Sequence, residues 1–212
     1  MLRRTATAVL AALALAGVAG CGDEQPQTAA SGSASPSPTA SPVVAGPPWY
    51  DDVAPAEAAL ELGDRASACP MELLISAPAK WRAKAVKNGR DAAIGGAVPV
   101  CEIDAKPAGH LGFLRVWKAD TPGNQQEVLD RFLDAYGEVT DRQYRRTKAG
   151  PLDALETTYV AESGTHERAI LVSTIWGRFL LTLGGPDDAE HQAMLPAYQL
   201  AKQTAKNNRD WE

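Results

Sequence analysis

Long apolar runs, excess positive charge and aromatic side chains are all scarce in this chain. Its longest run of small and apolar residues, Ala6 to Gly20, has fifteen residues, short of the roughly 20 that a membrane-spanning helix needs. Its 21 Lys and Arg are outnumbered by 26 Asp and Glu. A formal charge of −5 gives no electrostatic case for a nucleic-acid partner. Aromatics make up 6% of the 212 residues, against 18 Gly and 15 Pro, so part of the chain stays out of any packed core. The signatures of common chemistries are missing as well. There is no Gly-x-Ser-x-Gly, and Ser163-Gly164-Thr165-His166 lacks the strand-to-helix elbow that such a nucleophile needs. His166-Glu167 does not continue as His-Glu-x-x-His. Gly95-Gly96 and Gly184-Gly185 are isolated pairs at turns, not a phosphate loop. No catalytic residue, cofactor or metal is assigned. What remains is 45% apolar composition, enough for a core in one or two domains.

The N-terminus is more specific. Arg3 and Arg4 precede the fifteen-residue run, which fits the apolar segment of a secretory signal. It ends in Val18-Ala19-Gly20-Cys21. That sequence resembles the lipobox of bacterial lipoproteins, in which the cysteine carries diacylglycerol and the preceding peptide is removed. The resemblance implies a signal peptide over residues 1–20 and a lipid on Cys21, which would hold the protein at the extracellular face of the cell membrane. Two or more acyl chains anchor stably without spanning, at about 0.8 kcal/mol per buried CH₂. Residues 21–48 read as a disordered tether. From Gly22 to Pro48 there are six prolines, two charges, and Val43 and Val44 as the only large apolar residues, too little apolar surface to offset the entropy of ordering.

Large side chains return at Trp49-Tyr50, and residues 49–212 are read as a single globular domain. Pro55 to Leu62 reads as a short helix stopped by Gly63. Strands are expected at Met71–Ser76, Ala97–Asp104, Leu111–Lys118, Gln143–Lys148, Ala154–Ala161, Arg168–Ile175 and Arg178–Leu183, with Arg115 interrupting an otherwise apolar face. Between them stands the clearest helix. Asn124 and Glu127 form a capping-box pattern, Val128, Leu129, Phe132, Leu133 and Tyr136 make one stripe, and Gly137 supplies the stop. A second helical region after Gly184-Gly185-Pro186 is expected to break at Pro196 into two short helices. Hairpin-length loops favour antiparallel pairing, so the class is α+β, with helices packed on an antiparallel sheet.

With Cys21 lipidated, Cys69 and Cys101 remain in a compartment that permits disulfides. Neither has a Cys-x-x-Cys spacing or a histidine cluster beside it, so a structural bridge is preferred to a redox or metal pair. Asp187, Asp188, Glu190 and His191 sit near a helix start, where acids cap free N–H groups and answer the dipole; that reading is preferred to a metal site. Lys80, Arg82, Lys84, Lys87 and Arg90 crowd five cations into eleven residues around Trp81, and Arg142, Arg145, Arg146 and Lys148 form a second group. Either could touch anionic headgroups or wall polymers, and either could be a solvated loop or charged edge strand. Trp81 is read as core.

The strand closing on Ala77-Pro78-Ala79-Lys80-Trp81, the capped helix Asn124 to Tyr136, and the late hairpin Ile175 to Leu183 together resemble PsbP-like domains. The whole chain is similar to lipoproteins of high-GC Gram-positive bacteria. The PsbP resemblance implies an α/β/α sandwich and binding or assembly roles without catalysis, and it transfers no site residue. The expectation is a lipid-anchored surface protein that binds an envelope protein or wall component. The alternative is a small-ligand carrier or envelope sensor with a pocket between sheet and helix, and an enzyme of unidentified class ranks third.

Overall fold

The computed structural model describes residues 44–211. The expected signal peptide, Cys21 and most of the expected tether lie outside the described residues. Alternating apolar residues build most of the strands, and their alternation gives one sheet two buried faces. That sheet has seven antiparallel strands in the order β3 (Arg82–Ala85), β4 (Val98–Asp104), β5 (Phe113–Lys118), β9 (Gly177–Gly184), β8 (His166–Thr174), β7 (Leu152–Val160), β6 (Thr140–Ala149). A smaller sheet pairs β1 (Ala58–Leu62), β2 (Leu73–Pro78) and the two-residue β10 (Lys206–Asn207). Each face of the large sheet has its own cover. On one, Leu114, Val116, Ile170, Val172 and Phe179 pack against β2 and the helix α2 (Asp188–Thr204). On the other, Trp117, Leu155, Ala169, Leu171 and Leu180 pack against α1 (Gln125–Tyr136). The architecture is α+β with helices packed on an antiparallel sheet, as expected, and α1 and α2 are the α-helices among the described residues.

The capping box at α1 is present in full. Asn124 Oδ1 accepts from the Glu127 N–H at 3.0 Å, and the Glu127 carboxylate accepts from the Asn124 N–H at 2.8 Å. Arg131, one turn from Glu127, donates instead to the Pro122 carbonyl.

Two expected elements are corrected. Pro55 to Leu62 is not a helix: Ala58–Leu62 pairs with β2, from Ala58 opposite Pro78 to Leu62 opposite Ile75. Its alanines, leucines and glutamates favour helix locally, but a free β2 edge offers a ladder of hydrogen bonds and a place for Leu62, which is buried. Pro196 does not divide the last helix either. Proline removes the bond to the Gln192 carbonyl, yet α2 runs unbroken because its residues on both sides, from His191 to Lys202, are buried against the sheet. The Pro196 carbonyl also accepts from Ala56 N–H at 2.9 Å. No helix among the described residues is long and apolar enough to cross a membrane.

Candidate functional site: a cleft beside a buried charge network

The strands that read as most apolar carry the charges that matter. Glu156 lies on β7 and Arg168 on β8, both on the face that α2 covers, and Thr158 stands opposite Arg168 in the register. Glu156 has no exposure at all. It accepts hydrogen bonds from Tyr198 Oη (2.8 Å), Lys202 Nζ (2.8 Å) and Arg145 Nη2 (2.6 Å). Arg145, directly opposite on β6, also grips Asp51 with both terminal nitrogens, at 2.5 and 2.6 Å, and stacks over Trp49. Burial pushes the Asp51 carboxyl up, but its bonds to Arg145 and the Val44 N–H, with the charges of Arg145 and Lys202, outweigh that and hold it below the usual range. The segment just after the expected tether is thereby fastened to the core.

Arg168 is 2% exposed. Its Nε donates to His191 Nε2 at 3.1 Å, and its terminal nitrogens donate to the carbonyls of Trp49 and Pro48. Tyr50 and Tyr198 flank it with their ring faces. Among the described residues no carboxylate lies within ion-pairing distance of it. Arg145, Lys202 and Arg168 therefore face only Asp51 and Glu156, and the cluster holds one more cation than carboxylate. Burial first, then the Arg168 charge, pushes the His191 imidazole from 6.5 down to about 3. The ring is neutral, and because Nε2 accepts from Arg168, the proton sits on Nδ1. That Nδ1 is buried and has no hydrogen-bond partner.

A cleft of about 630 Å³ opens beside this pair. Pro48, Tyr50, Tyr159 and Val160 supply apolar wall; Arg168 and His191 supply polar lining at the end where α2 begins. At its rim Asp188 accepts from the His166 N–H (2.7 Å) and lies 2.9 Å from His166 Nδ1. On the other sheet face Glu167, also at the cleft, accepts from Tyr136 and Tyr159 at 3.1 and 3.0 Å. Burial raises the Glu167 carboxyl above its usual range despite those two bonds. A volume of this size suits a small organic molecule, fixed by a few placed polar groups.

A family model described as an uncharacterised lipoprotein matches residues 39–205. The chain belongs to this lipoprotein family. No curated protein matches the lipoprotein. Among solved structures it is similar to the solution structure of cyanobacterial PsbP (CyanoP) from Synechocystis sp. PCC 6803, at 14% identity and a TM-score of 0.45, covering 65% of this chain and 87% of that one.

The residues singled out from the lipoprotein's sequence fall in different places. Cys69 and Cys101 form a disulfide with Cα atoms 5.6 Å apart, sealed in the core. Lys80, Arg82, Lys84, Lys87 and Arg90 are all exposed, along and beside β3 at one edge of the large sheet, while Trp81 turns inward. Arg82 and Lys84 stand opposite Asp104 and Glu102 in the register, but Glu102 pairs with Arg115 across the next strand. The second basic group, on the opposite edge strand β6, is not a free patch. Arg142 pairs with Asp134, Lys148 with Asp153, and Arg145 is buried with Asp51 and Glu156.

Asp187 caps α2, accepting from the Glu190 N–H at 2.9 Å, while Asp188 turns to His166. Among the described residues no group of three or more His, Cys, Asp or Glu is placed to hold a metal ion. Ser163 Oγ donates to Thr165 Oγ1 rather than to His166. Sequence reasoning missed Asp51, Glu156, Arg168 and Lys202. For Glu156 and Arg168 the available signal was a charged residue standing at a core-facing position of an otherwise apolar strand; Asp51, in a turn, and Lys202, on α2, carried no such signal.

Proposed function

We propose that this lipoprotein is a non-catalytic binding protein, anchored by a lipid on Cys21 at the extracellular face of the membrane after removal of residues 1–20, and held off the surface by a tether that starts at Cys21 and stops short of the expected Pro48, because Val44 to Pro48 are bonded into the domain. Its ligand, a component of the envelope, enters the cleft between the end of the large sheet and the start of α2. The observation that carries this reading is the cleft itself, about 630 Å³ with Arg168 and His191 on its wall, in a chain of a lipoprotein family. The polar groups around it support binding over turnover. His166 is the histidine paired with an acid there, and the nearby hydroxyls of Ser163 and Thr165 are bonded to one another.

A second contact has its own support. Among the described residues the five exposed cations from Lys80 to Arg90 have no acid within pairing distance, and at about 1 kcal/mol each near an anionic surface they suit headgroups or wall polymer.

The anchor is tested by Cys21→Ala, which is expected to release the protein from the membrane fraction or stall its processing; unchanged retention refutes it. Crosslinking on living cells, followed by mass spectrometry, is expected to recover an envelope component attached at the cleft. Hydrolysis of an ester, peptide or glycan by the purified chain, abolished by a point substitution in the cleft, refutes the non-catalytic reading.

A further inference from the structure

The register of the large sheet sets two rows of side chains on one face of its β3 end. Arg82 stands opposite Asp104, and Asp104 opposite Phe113; Lys84 stands opposite Glu102, and Glu102 opposite Arg115. Residues opposed in an antiparallel pair share a face. The alternate residues Ala83, Cys101, Ile103 and Leu114 pack into the core on the α2 side, and neither row belongs to the core that α1 covers. This end of the sheet is therefore open, and it is positive. Glu102 is taken by Arg115 at 2.9 Å, and Asp104 accepts from the Lys106 N–H at 2.9 Å. Lys80, Lys87 and Arg90, all exposed, flank β3 and extend the charge, in a chain whose formal sum is −5.

Apolar groups stand among these cations. Lys106 Nζ lies 5.8 Å from the centre of the Phe113 ring, and the Arg115 guanidinium 4.7 Å. Two residues before Phe113, Leu111 is 58% exposed. An apolar side chain held in water beside lysine and arginine suits a bilayer surface, where it enters the boundary of headgroups and acyl chains while the cations meet anionic lipid. A hydrated polyanion would use the cations and leave Leu111 and Phe113 in water. The bilayer is also within reach. The 23 residues from Cys21 to Val44 extend to about 80 Å at most. β6, which holds the N-terminal segment through Arg145 and Asp51, lies six strand spacings from β3, about 29 Å.

We infer that the β3 end of the large sheet docks on the anionic lipid surface to which the chain is anchored, with the cations from Lys80 to Arg90 and Lys106 against headgroups and Leu111 at the acyl boundary. This rests on the second contact and the Cys21 anchor proposed above, and it adds the partner, which is lipid rather than wall polymer or protein. The cleft is lined from β6, β7 and β8, at the far side of the same sheet, so this contact does not cover it.

The test uses the protein as purified from membranes, reconstituted in vesicles of phosphatidylcholine alone or of phosphatidylcholine and phosphatidylglycerol in equal parts. A membrane-impermeant amine reagent, read by mass spectrometry after digestion, reports each lysine. Lys80, Lys84, Lys87 and Lys106 are expected to react at least threefold more slowly on the anionic vesicles than on the neutral ones. That protection is expected to vanish at about 1 M salt, where the screening length falls to about 3 Å. Lys148, exposed on the opposite edge strand β6, is expected to react alike on both. Leu111→Asp is expected to halve the protection or more, and Lys84→Glu with Lys87→Glu to abolish it at Lys80 and Lys106. These positions are exposed; should a variant not fold, the two vesicle types decide on the wild-type chain alone. Equal reactivity of the four lysines on both vesicles overturns the docking, and so does equal protection of Lys148. Protection by soluble polyphosphate but not by phosphatidylglycerol assigns the contact to a polymer and overturns the lipid. Protection on living cells that anionic vesicles do not reproduce assigns it to a protein, with the same consequence. Loss of flotation with neutral vesicles refutes the anchor and the docking with it, whereas flotation without lysine protection refutes the docking alone.

Discussion

The unequal charges of the buried cluster make a directional prediction about stability. Glu156 is fully buried and answers Arg145, Lys202 and Tyr198 at once. In Glu156→Gln the shape is kept and the charge removed, leaving Arg145, Lys202 and Arg168 with Asp51 as their one carboxylate. Breaking a buried pair from one side costs about 3–5 kcal/mol; the amide oxygen can still accept one or two of the bonds, so the lower figure applies, about 3 kcal/mol. For a domain of this size each kcal/mol moves the midpoint by about 2–4 °C, so a fall of about 6–12 °C is expected. Removing a cation costs less. Lys202→Met takes away one of the three positive charges and fills the space with apolar atoms, and is expected to cost about 1 kcal/mol or less. Thermal unfolding followed by circular dichroism, checked by urea midpoints, reads both variants. Adding Lys202→Met to Glu156→Gln is expected to restore part of the loss, a coupling that independent sites would not show. Equal costs for the two single variants, or a fall below about 2 °C for Glu156→Gln, would refute the surplus-cation account.

Acid and redox conditions supply the remaining predictions. The unfolded chain protonates His191 below its ordinary 6.5, whereas the folded imidazole, buried beside Arg168, resists until about 3. The folded state therefore loses stability as pH falls across that window, and His191→Gln is expected to flatten the urea midpoint between pH 7 and 4; an unchanged slope sinks the assignment. Asp51, held low, adds stability that is full above its ordinary 3.8 and is lost only below it, so the two contributions separate along the pH axis. The bridge between Cys69 and Cys101, 32 residues apart, restricts the unfolded chain by about 4 kcal/mol on the loop-entropy estimate. Reduction is expected to lower the urea midpoint accordingly, and titration of the unfolded, unreduced chain should find neither thiol free; two reactive thiols would contradict the bridge.

How much of this was legible follows from the range over which each feature is determined. The capping box of α1 needs only Asn124 and Glu127, three residues apart, and strand alternation needs a handful of neighbours; both were readable. The bridge was readable because only two cysteines remained once Cys21 was set aside. β1 was misread because its residues favour helix locally while its structure comes from β2, a partner that no local pattern announces. Pro196 was read as a break for the same reason: the rule against proline is local, and what holds α2 together is burial along most of its length.

The cleft was hidden by distance in a stricter sense. Arg168 is bonded to carbonyls 119 and 120 residues away, and Arg145 to a carboxylate 94 residues away. Yet Glu156 and Arg168 were conspicuous in one respect. Each occupies a position where strict alternation demands an apolar side chain facing α2: Ala154 precedes Glu156 on its face, and Ile170 and Val172 follow Arg168 on its face. A charge cannot stay unpaired in such a place, so each implies a partner of opposite sign somewhere on the elements packed above it. For Glu156 the fold supplies two, Lys202 and Arg145. For Arg168 it supplies tyrosine faces, two carbonyls and a neutral imidazole, with Glu156 acting through space rather than in a direct ion pair. Applied consistently, the rule that identifies Glu156 as structural identifies Arg168 as structural too, a buried cation held by the carbonyls of the N-terminal segment, two tyrosine faces and the charge of Glu156.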